Sequence, residues 1–164
     1  MSENTNWFTN LNDPNRVYFY SQRNTYGEFS NFYPAQITDN TGKTWPTSEH
    51  YFQAKKFENT EHEEIIRNTK TPGQAAKQGR SRNRPLRKDW EEVKEDIMMQ
   101  ALRMKFNQHE DLKRVLVDTG DRILVEHTKN DFYWADGGCG NGKNRLGVLL
   151  MALRAEILAN METN

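Results

Sequence analysis

The sequence predicts a chain of six helical stretches joined to a few short strands, and three observations carry that expectation. Helix-start chemistry recurs at Pro46-Thr47-Ser48, Thr60, Thr71-Pro72 and Asp89. Apolar residues return at helical spacing along 90–108 and again from Leu146 to Ile157. The β-prone runs, by contrast, are only a few residues long: 17–20, 37–38, 43–45 and 123–128.

A length of 164 residues fits one domain that removes roughly two thirds of its unfolded surface from water. Hydrophobic residues make up 35% and charged residues 28%, so the exterior is heavily charged, and eight Phe, six Tyr and four Trp supply the large burial units of a small core. The formal net charge is +0, so overall charge calls for neither nucleic acid nor an anionic membrane, and attraction for phosphate has to be local. A single cysteine, Cys139, excludes an intramolecular disulfide and a Cys-paired zinc motif. No basic leader opens the chain and no apolar run reaches the length of a membrane span, so a soluble cytoplasmic protein is expected.

Residues 1–16 read as a loose terminus docking through Trp7, Phe8 and Leu11, with the domain itself at 17–160. Val17-Tyr-Phe-Tyr20 is the first strand. Glycine and proline then bracket Gly27-Glu-Phe-Ser-Asn-Phe-Tyr-Pro34, a loop whose Phe29, Asn31 and Phe32 suit gripping a flat ligand. The turn Asp39-Asn-Thr-Gly42 makes a hairpin of its flanks and aims the helix that follows. That helix holds Glu49, Gln53 and Lys56 within roughly 60° of one another, so acid, amide and amine share a face. His50, Ala54 and Phe57 form a second, inward patch, and Tyr51, Lys55 and Glu58 fall on a third side. Taken alone, such a charged stripe reads as solvated and salt-bridged.

Two short helices follow, one from the capping box Thr60-Glu-His-Glu63 and one from Thr71-Pro-Gly-Gln74 to Gly79. His62 lies among glutamates and reads as a surface histidine. His50 has no partner at a metal-ligand spacing, so neither a metal nor any other cofactor is assigned. Arg80-Ser-Arg-Asn-Arg-Pro-Leu-Arg-Lys88 concentrates five cations and suggests a phosphate-binding rim that includes Arg80 and Arg87. Asp89 caps the longest helix, 90–108, with Trp90, Val93, Ile97, Ala101 and Met104 inward and Lys94 and Lys105 at the edges of that face, placed to snorkel or to enter a cleft. A helix over 111–119 buries Leu112, Val115 and Leu116 and stops at Gly120.

In the strand 123–128, Ile123 and Val125 take one side and Leu124 and Glu126 the other. Asp131 follows among Phe132, Tyr133 and Trp134 as a candidate acid or base, with a turn residue as the alternative. The glycine-rich run from Gly137 to Gly142 enters the last helix, whose Leu146, Leu149, Leu150, Leu153 and Ile157 face inward. Its amides and Lys143 offer an anion site. The run misses the P-loop pattern because Asn144 stands where Ser or Thr would bind magnesium.

Gly27-Glu-Phe-Ser-Asn-Phe, Trp45-Pro-Thr-Ser-Glu-His-Tyr-Phe-Gln-Ala-Lys-Lys-Phe57, Pro85-Leu-Arg-Lys-Asp-Trp90, Leu124-Val-Glu-His-Thr128, Asp131-Phe-Tyr-Trp134 and Asn144-Arg-Leu-Gly147 occur in this order, and together the chain resembles the YbiA-like, or NADAR, family. The resemblance runs from about Val17 to Leu158. It implies a compact, mostly helical α+β domain acting as an N-glycosidase on ribosylaminopyrimidine 5′-phosphates, the early intermediates of riboflavin biosynthesis. Relatives in the wider family remove ADP-ribose from guanine bases, which makes ADP-ribosylated nucleic acid the alternative partner. A module that binds ADP-ribose without cleaving it is a further alternative. The motifs mark Glu49, Gln53, Lys56, Glu126, Asp131, Trp134 and Asn144, and Trp45 and Trp90 within the same stretches, with Gly137 of the glycine-rich run, join the substrate-binding set. Two positions are atypical: Ala135, where the family often has glycine, and Cys139 in the glycine loop.

Departure of an amine from C1 of ribose requires a proton, which Glu49 or Asp131 could supply. The sugar has two routes: a second carboxylate activates water, or Lys56 attacks C1 of the opened ring and passes through a Schiff base. The second demands a neutral Lys56, although an adjacent Glu49 anion favours the ammonium; burial or the arginines must lower its proton affinity. The arrangement expected is Glu49, Gln53 and Lys56 on one wall of a ribose-phosphate cleft, facing Asp131 and Trp134.

Overall fold

The structure, a computed structural model, describes residues 11–164. In chain order the elements are β1 (Arg16–Phe19), a single 3-10 turn (Gly27–Phe29), β2 (Ile37–Thr38), β3 (Thr44–Trp45), α1 (Ser48–Lys55), α2 (Glu61–Arg67), α3 (Pro72–Arg80), α4 (Trp90–Gln108), α5 (Glu110–Asp118), β4 (Ile123–Glu126) and α6 (Arg145–Glu162). This is the mostly helical α+β fold the sequence predicts. Among the described residues, no helix is long and apolar enough to cross a membrane. Trp7 and Phe8 lie outside the described residues, and Leu11, expected to dock with them, is exposed.

The chain divides into two compact units, one spanning Asn31–Lys113 and the other combining the residues up to Ser30 with Arg114–Asn164. In the first, β2 and β3 form the expected antiparallel hairpin, Ile37 opposite Trp45. Asp39 organises its turn: Oδ1 accepts from the amides of Thr41 and Lys43 at 2.9 and 3.1 Å, and Oδ2 accepts from the Trp45 indole at 3.0 Å. The helix α1 starts immediately afterwards, packed against α2, α3 and α4. Its N-cap is Thr47, whose hydroxyl accepts from the His50 amide at 3.2 Å.

Thr60 and Thr71 cap α2 and α3 through the same device. Asp89 occupies the N-cap position of α4 without a capping bond, because its carboxylate is held by Arg87 Nε at 2.6 Å and Nη2 at 3.0 Å. Along α4 the buried face is Trp90, Ile97, Met98, Ala101, Leu102, Lys105 and Phe106, while Val93 and Met104 are half-buried at its border.

In the other unit β1 and β4 pair in parallel, Val17 opposite Leu124 and Phe19 opposite Glu126, and α6 packs on β4. The expected alternation fails in β4: Leu124 and Val125 are both buried and Ile123 is exposed. A parallel pair covered by a helix has little solvent-facing side left at its centre, so burial follows position along the strand more than the pleat. Helix α5 ends at Asp118, two residues before Gly120 with its φ of +68°, and buries Leu112 and Leu116 while Val115 is half-buried. On α6, Leu146, Leu150, Leu153 and Ile157 are buried and Leu149 is half-buried.

The contact of α6 with β4 is close enough to require glycine. A Cβ on Gly147 would lie 2.1 Å from the Leu124 carbonyl oxygen and 2.5 Å from Asn144 Nδ2. Both neighbours are fixed, so Gly147→Ala is expected to cost about 3 kcal/mol. Thermal unfolding should register this as a Tm lower by roughly 6–12 °C.

Candidate active site

Every residue of α1 from Ser48 to Ala54 is buried, so its polar stripe is not solvated. Glu49, Gln53 and Lys56 are 7%, 5% and 7% exposed, values that call for internal partners. Gln53 Nε2 donates to Glu49 Oε1 at 2.8 Å, one turn away. Lys56, the C-cap residue, donates from Nζ to the Gly79 carbonyl at the end of α3 at 3.4 Å and lies 5.9 and 5.7 Å from the ring centres of Phe52 and Trp90. A Cβ at Gly79 would meet Gln53 Oε1 at 2.0 Å, so α3 comes as near α1 as a glycine permits. That oxygen is buried without a hydrogen-bond partner.

Burial pushes the Lys56 ammonium down from 10.5 to about 8. The Arg82 charge acts in the same sense, Glu49 opposes it, and Arg80 adds to the lowering. These are the two influences, burial and arginine, that a neutral lysine beside a carboxylate needs. Lys55 differs: it is paired with Glu58 at 3.3 Å and Glu63 at 3.6 Å and lies over Trp45 and Tyr51.

The inward patch is as expected, with His50, Ala54 and Phe57 all buried. His50 Nε2 donates to the Thr69 carbonyl at 3.0 Å and Nδ1 accepts from the Thr47 hydroxyl at 2.8 Å, so both nitrogens are used and burial keeps the ring neutral. His62 is half-buried, not a surface group: it is bonded to Arg84 and sets its ring edge-on to Phe57. Among the described residues no cluster of His, Cys, Asp and Glu could hold a metal ion.

Several side chains expected to contact a ligand have partners within the protein. Phe29 and Trp45 have no exposed surface; Phe29 packs edge-on to Phe19, and Trp45 edge-on to Tyr51. Lys105 is fully buried and does not snorkel, its Nζ lying 5.7 and 5.3 Å from the ring centres of Tyr33 and Phe106. Arg87 bridges Asp89 and Glu58 and donates to the Lys55 carbonyl, which fastens the basic segment to α1. Asn31 stays close to the α1 stripe: its Oδ1 accepts from Ser48 Oγ at 2.8 Å and its carbonyl accepts from the Glu49 amide at 3.1 Å. Trp90 contributes its ring to the Lys56 surroundings, and Phe32 is half-buried. Arg80 and Arg82 keep exposed side chains.

In the other unit, Asp131 makes the contacts of a turn residue. Its Oδ1 accepts from the amides of Tyr133 and Trp134 at 2.8 and 2.7 Å. The helix amides expected to receive an anion are also engaged, since Arg145 N and Leu146 N donate to the carbonyls of Tyr133 and Trp134. Asn144 staples α6 to β4, accepting from the Glu126 amide at 3.0 Å and donating to the Leu124 carbonyl at 2.8 Å. Gly137 has φ +72° and lies against Phe132, whose ring a Cβ would strike.

Asp136 is the residue that sequence reasoning overlooked. It is 1% exposed, and its carboxylate accepts from Gly138 N at 2.7 Å, Thr128 N at 3.2 Å and His127 Nδ1 at 2.9 Å. Its one sequence signal is the Asp-Gly-Gly turn composition.

A buried lysine at a helix end, its proton affinity lowered to about 8 and a buried carboxylate on the same stripe, is the equipment of an enzyme acting on an electrophilic carbon. The profile of the NADAR domain matches residues 18–158. The N-glycosidase YbiA of Escherichia coli (strain K12) is 54% identical over 143 residues, covering 86% of this chain and 88% of the other. A riboflavin biosynthesis protein of Vibrio vulnificus is 39% identical over 141 residues, which cover 86% of this chain but 38% of that protein. The NMR structure of the E. coli protein YbiA superposes with a TM-score of 0.85 at 52% identity, covering 92% and 89% of the two chains. The chain belongs to the NADAR domain family and is a glycosidase.

Proposed function

We propose that this enzyme hydrolyses the C1–N bond of ribosylaminopyrimidine 5′-phosphates, releasing the pyrimidine base and ribose 5-phosphate. The observation that carries the reading is Lys56, a buried amine brought down to about 8 and sharing the α1 stripe with Glu49. The riboflavin name of a relative supports the substrate class.

The chemistry follows from those two groups. Ring opening of the ribosylamine gives an imine at C1, and the neutral Lys56 amine adds its electron pair to that carbon. Glu49, steadied through Oε1 by Gln53, passes a proton to the amine of the pyrimidine. The C1–N bond breaks, the aminopyrimidine leaves, and Lys56 holds the sugar as a Schiff base. Water adds to that bond with Glu49 accepting its proton, and collapse frees ribose 5-phosphate and the lysine. Arg80 and the Trp90 ring belong to the substrate-binding surroundings of this lysine, and Asp131, Trp134 and Gly137 are assigned to positioning the loop that carries them.

Glu49→Gln keeps the Gln53 contact but cannot shuttle the proton, and is expected to lower kcat by about 10²–10⁴-fold. Release of free base from a ribosylaminopyrimidine 5′-phosphate, followed by chromatography, measures this. Release from ADP-ribosylated guanine alone would assign the substrate to the other branch of the chemistry, and release from neither would leave a binding module.

A further inference from the structure

The basic segment that sequence reading treats as one rim separates into three jobs. Arg87 is spent on Asp89 and Glu58, and Arg84 on His62 and Gln78. Arg82 behaves differently. Its Nη1 donates to the Gly79 carbonyl at 3.3 Å, and Lys56 Nζ donates to that same oxygen at 3.4 Å. A guanidinium and an amine therefore converge on one backbone carbonyl, within two hydrogen-bond lengths of each other. Arg80, the last residue of α3, adds a third cation to the neighbourhood.

A carbonyl offers only a partial negative charge to two cations that repel each other. Glu49 is the acidic group that acts on Lys56 from α1, and it is bonded to Gln53. Arg82 is exposed whereas Lys56 is buried, so of the two cations on this carbonyl the guanidinium is the one solvent reaches, and the Gly79 bond occupies one of its five donors. An anion with several oxygens, delivered from solvent, completes this arrangement; a planar fork is the group that matches a phosphate.

The geometry points to Arg82, assisted by Arg80, as the receptor for the substrate phosphate, and to Arg82 as the residue that makes the enzyme prefer phosphorylated ribosides. The inference rests on the reading of Lys56 as the group that meets the sugar. It gives Arg82 a second task. By balancing the phosphate charge it keeps a dianion from returning Lys56 to the ammonium form.

Binding of ribose 5-phosphate and of ribose to the intact protein, measured by titration calorimetry, tests the inference without turnover. Wild type should bind ribose 5-phosphate well above ribose. Arg82→Ala should weaken the phosphorylated sugar by about tenfold or more, with ribose unaffected. Arg84→Ala removes an equal charge from the same segment and should change either ligand by less than about threefold. Arg82→Gln serves as the second variant should the alanine protein melt early. Equal losses in the Arg82 and Arg84 variants, equal losses for both sugars, or no binding of ribose 5-phosphate by wild type would each overturn it. Hydrolysis of the pyrimidine substrate separates the two proposals. Turnover whose preference for the phosphorylated riboside survives Arg82→Ala defeats this inference alone. Absent turnover with Arg82-dependent binding defeats only the reaction.

Discussion

Lys56→Met is expected to lose at least about a hundredfold in turnover while leaving the protein as stable as wild type, or more so. The reason lies in the displacement of the Lys56 ammonium from 10.5 to about 8, chiefly by burial. At neutral pH the native protein keeps a charge that its surroundings disfavour by about 3 kcal/mol. Methionine has similar length, carries no charge, and makes favourable contacts with the Phe52 and Trp90 rings that flank the position. Urea unfolding at pH 7 checks this, and a variant with a clearly lower urea midpoint than wild type would contradict it.

The sign of the pH dependence follows from the same values. Below about pH 8 Lys56 is protonated in both native and unfolded chains, and the full penalty is present. Between about 8 and 10.5 the unfolded chain binds a proton that the native one has released, so this residue makes stability rise with pH. That contribution is absent in Lys56→Met. Activity divides the two chemical roles in the opposite way. A nucleophilic Lys56 gives a rate that climbs toward pH 8 and levels, and borohydride added during turnover traps a ribose adduct on it. A purely cationic Lys56 gives a rate that falls through the same pH.

What the sequence disclosed was largely local. Thr47, Thr60 and Thr71 are side chains acting within a turn of themselves, and the helices they start lie where their spacing places them. The separation of Lys56 from Lys55 was likewise legible, because 100° per residue fixes which lysine shares a face with Glu49. The burial of that face was not. A helix only eight residues long with few apolar side chains gives no amphipathic signal, and α1 is enclosed by three other helices, α2, α3 and α4, whose packing against it is not written in its own residues. The basic segment misled for a related reason. Five cations look equivalent in one dimension, yet Asp89 and Glu58 claim Arg87 and leave Arg82 beside Lys56. Asn144 reads as a polar candidate for a ligand, and its hydrogen bonds to the main chain of β4 carry no sequence signal; the bonds of Asp131 to the amides after it follow the turn alternative that its own stretch offered.

Asp136→Ala is expected to cost about 3–5 kcal/mol. Its carboxylate collects the amides of Thr128 and Gly138 and the His127 imidazole, while its own amide donates to Glu126 and its carbonyl accepts from Gly142. The side chain thus holds the end of β4 to the glycine loop from a site that water does not reach, and alanine leaves buried donors with nothing to bond. Hydrogen exchange should show the loss first in the amides of 128–142, ahead of β1 and α6. Asp136→Asn distinguishes satisfaction of donors from charge. Its Oδ1 can continue to accept from Thr128 and Gly138, and its Nδ2 can donate to His127 once that ring moves its proton from Nδ1 to Nε2. The asparagine variant should therefore lose only about 1 kcal/mol. Equal destabilisation by asparagine and alanine would show that the carboxylate charge, not the count of acceptors, holds the loop.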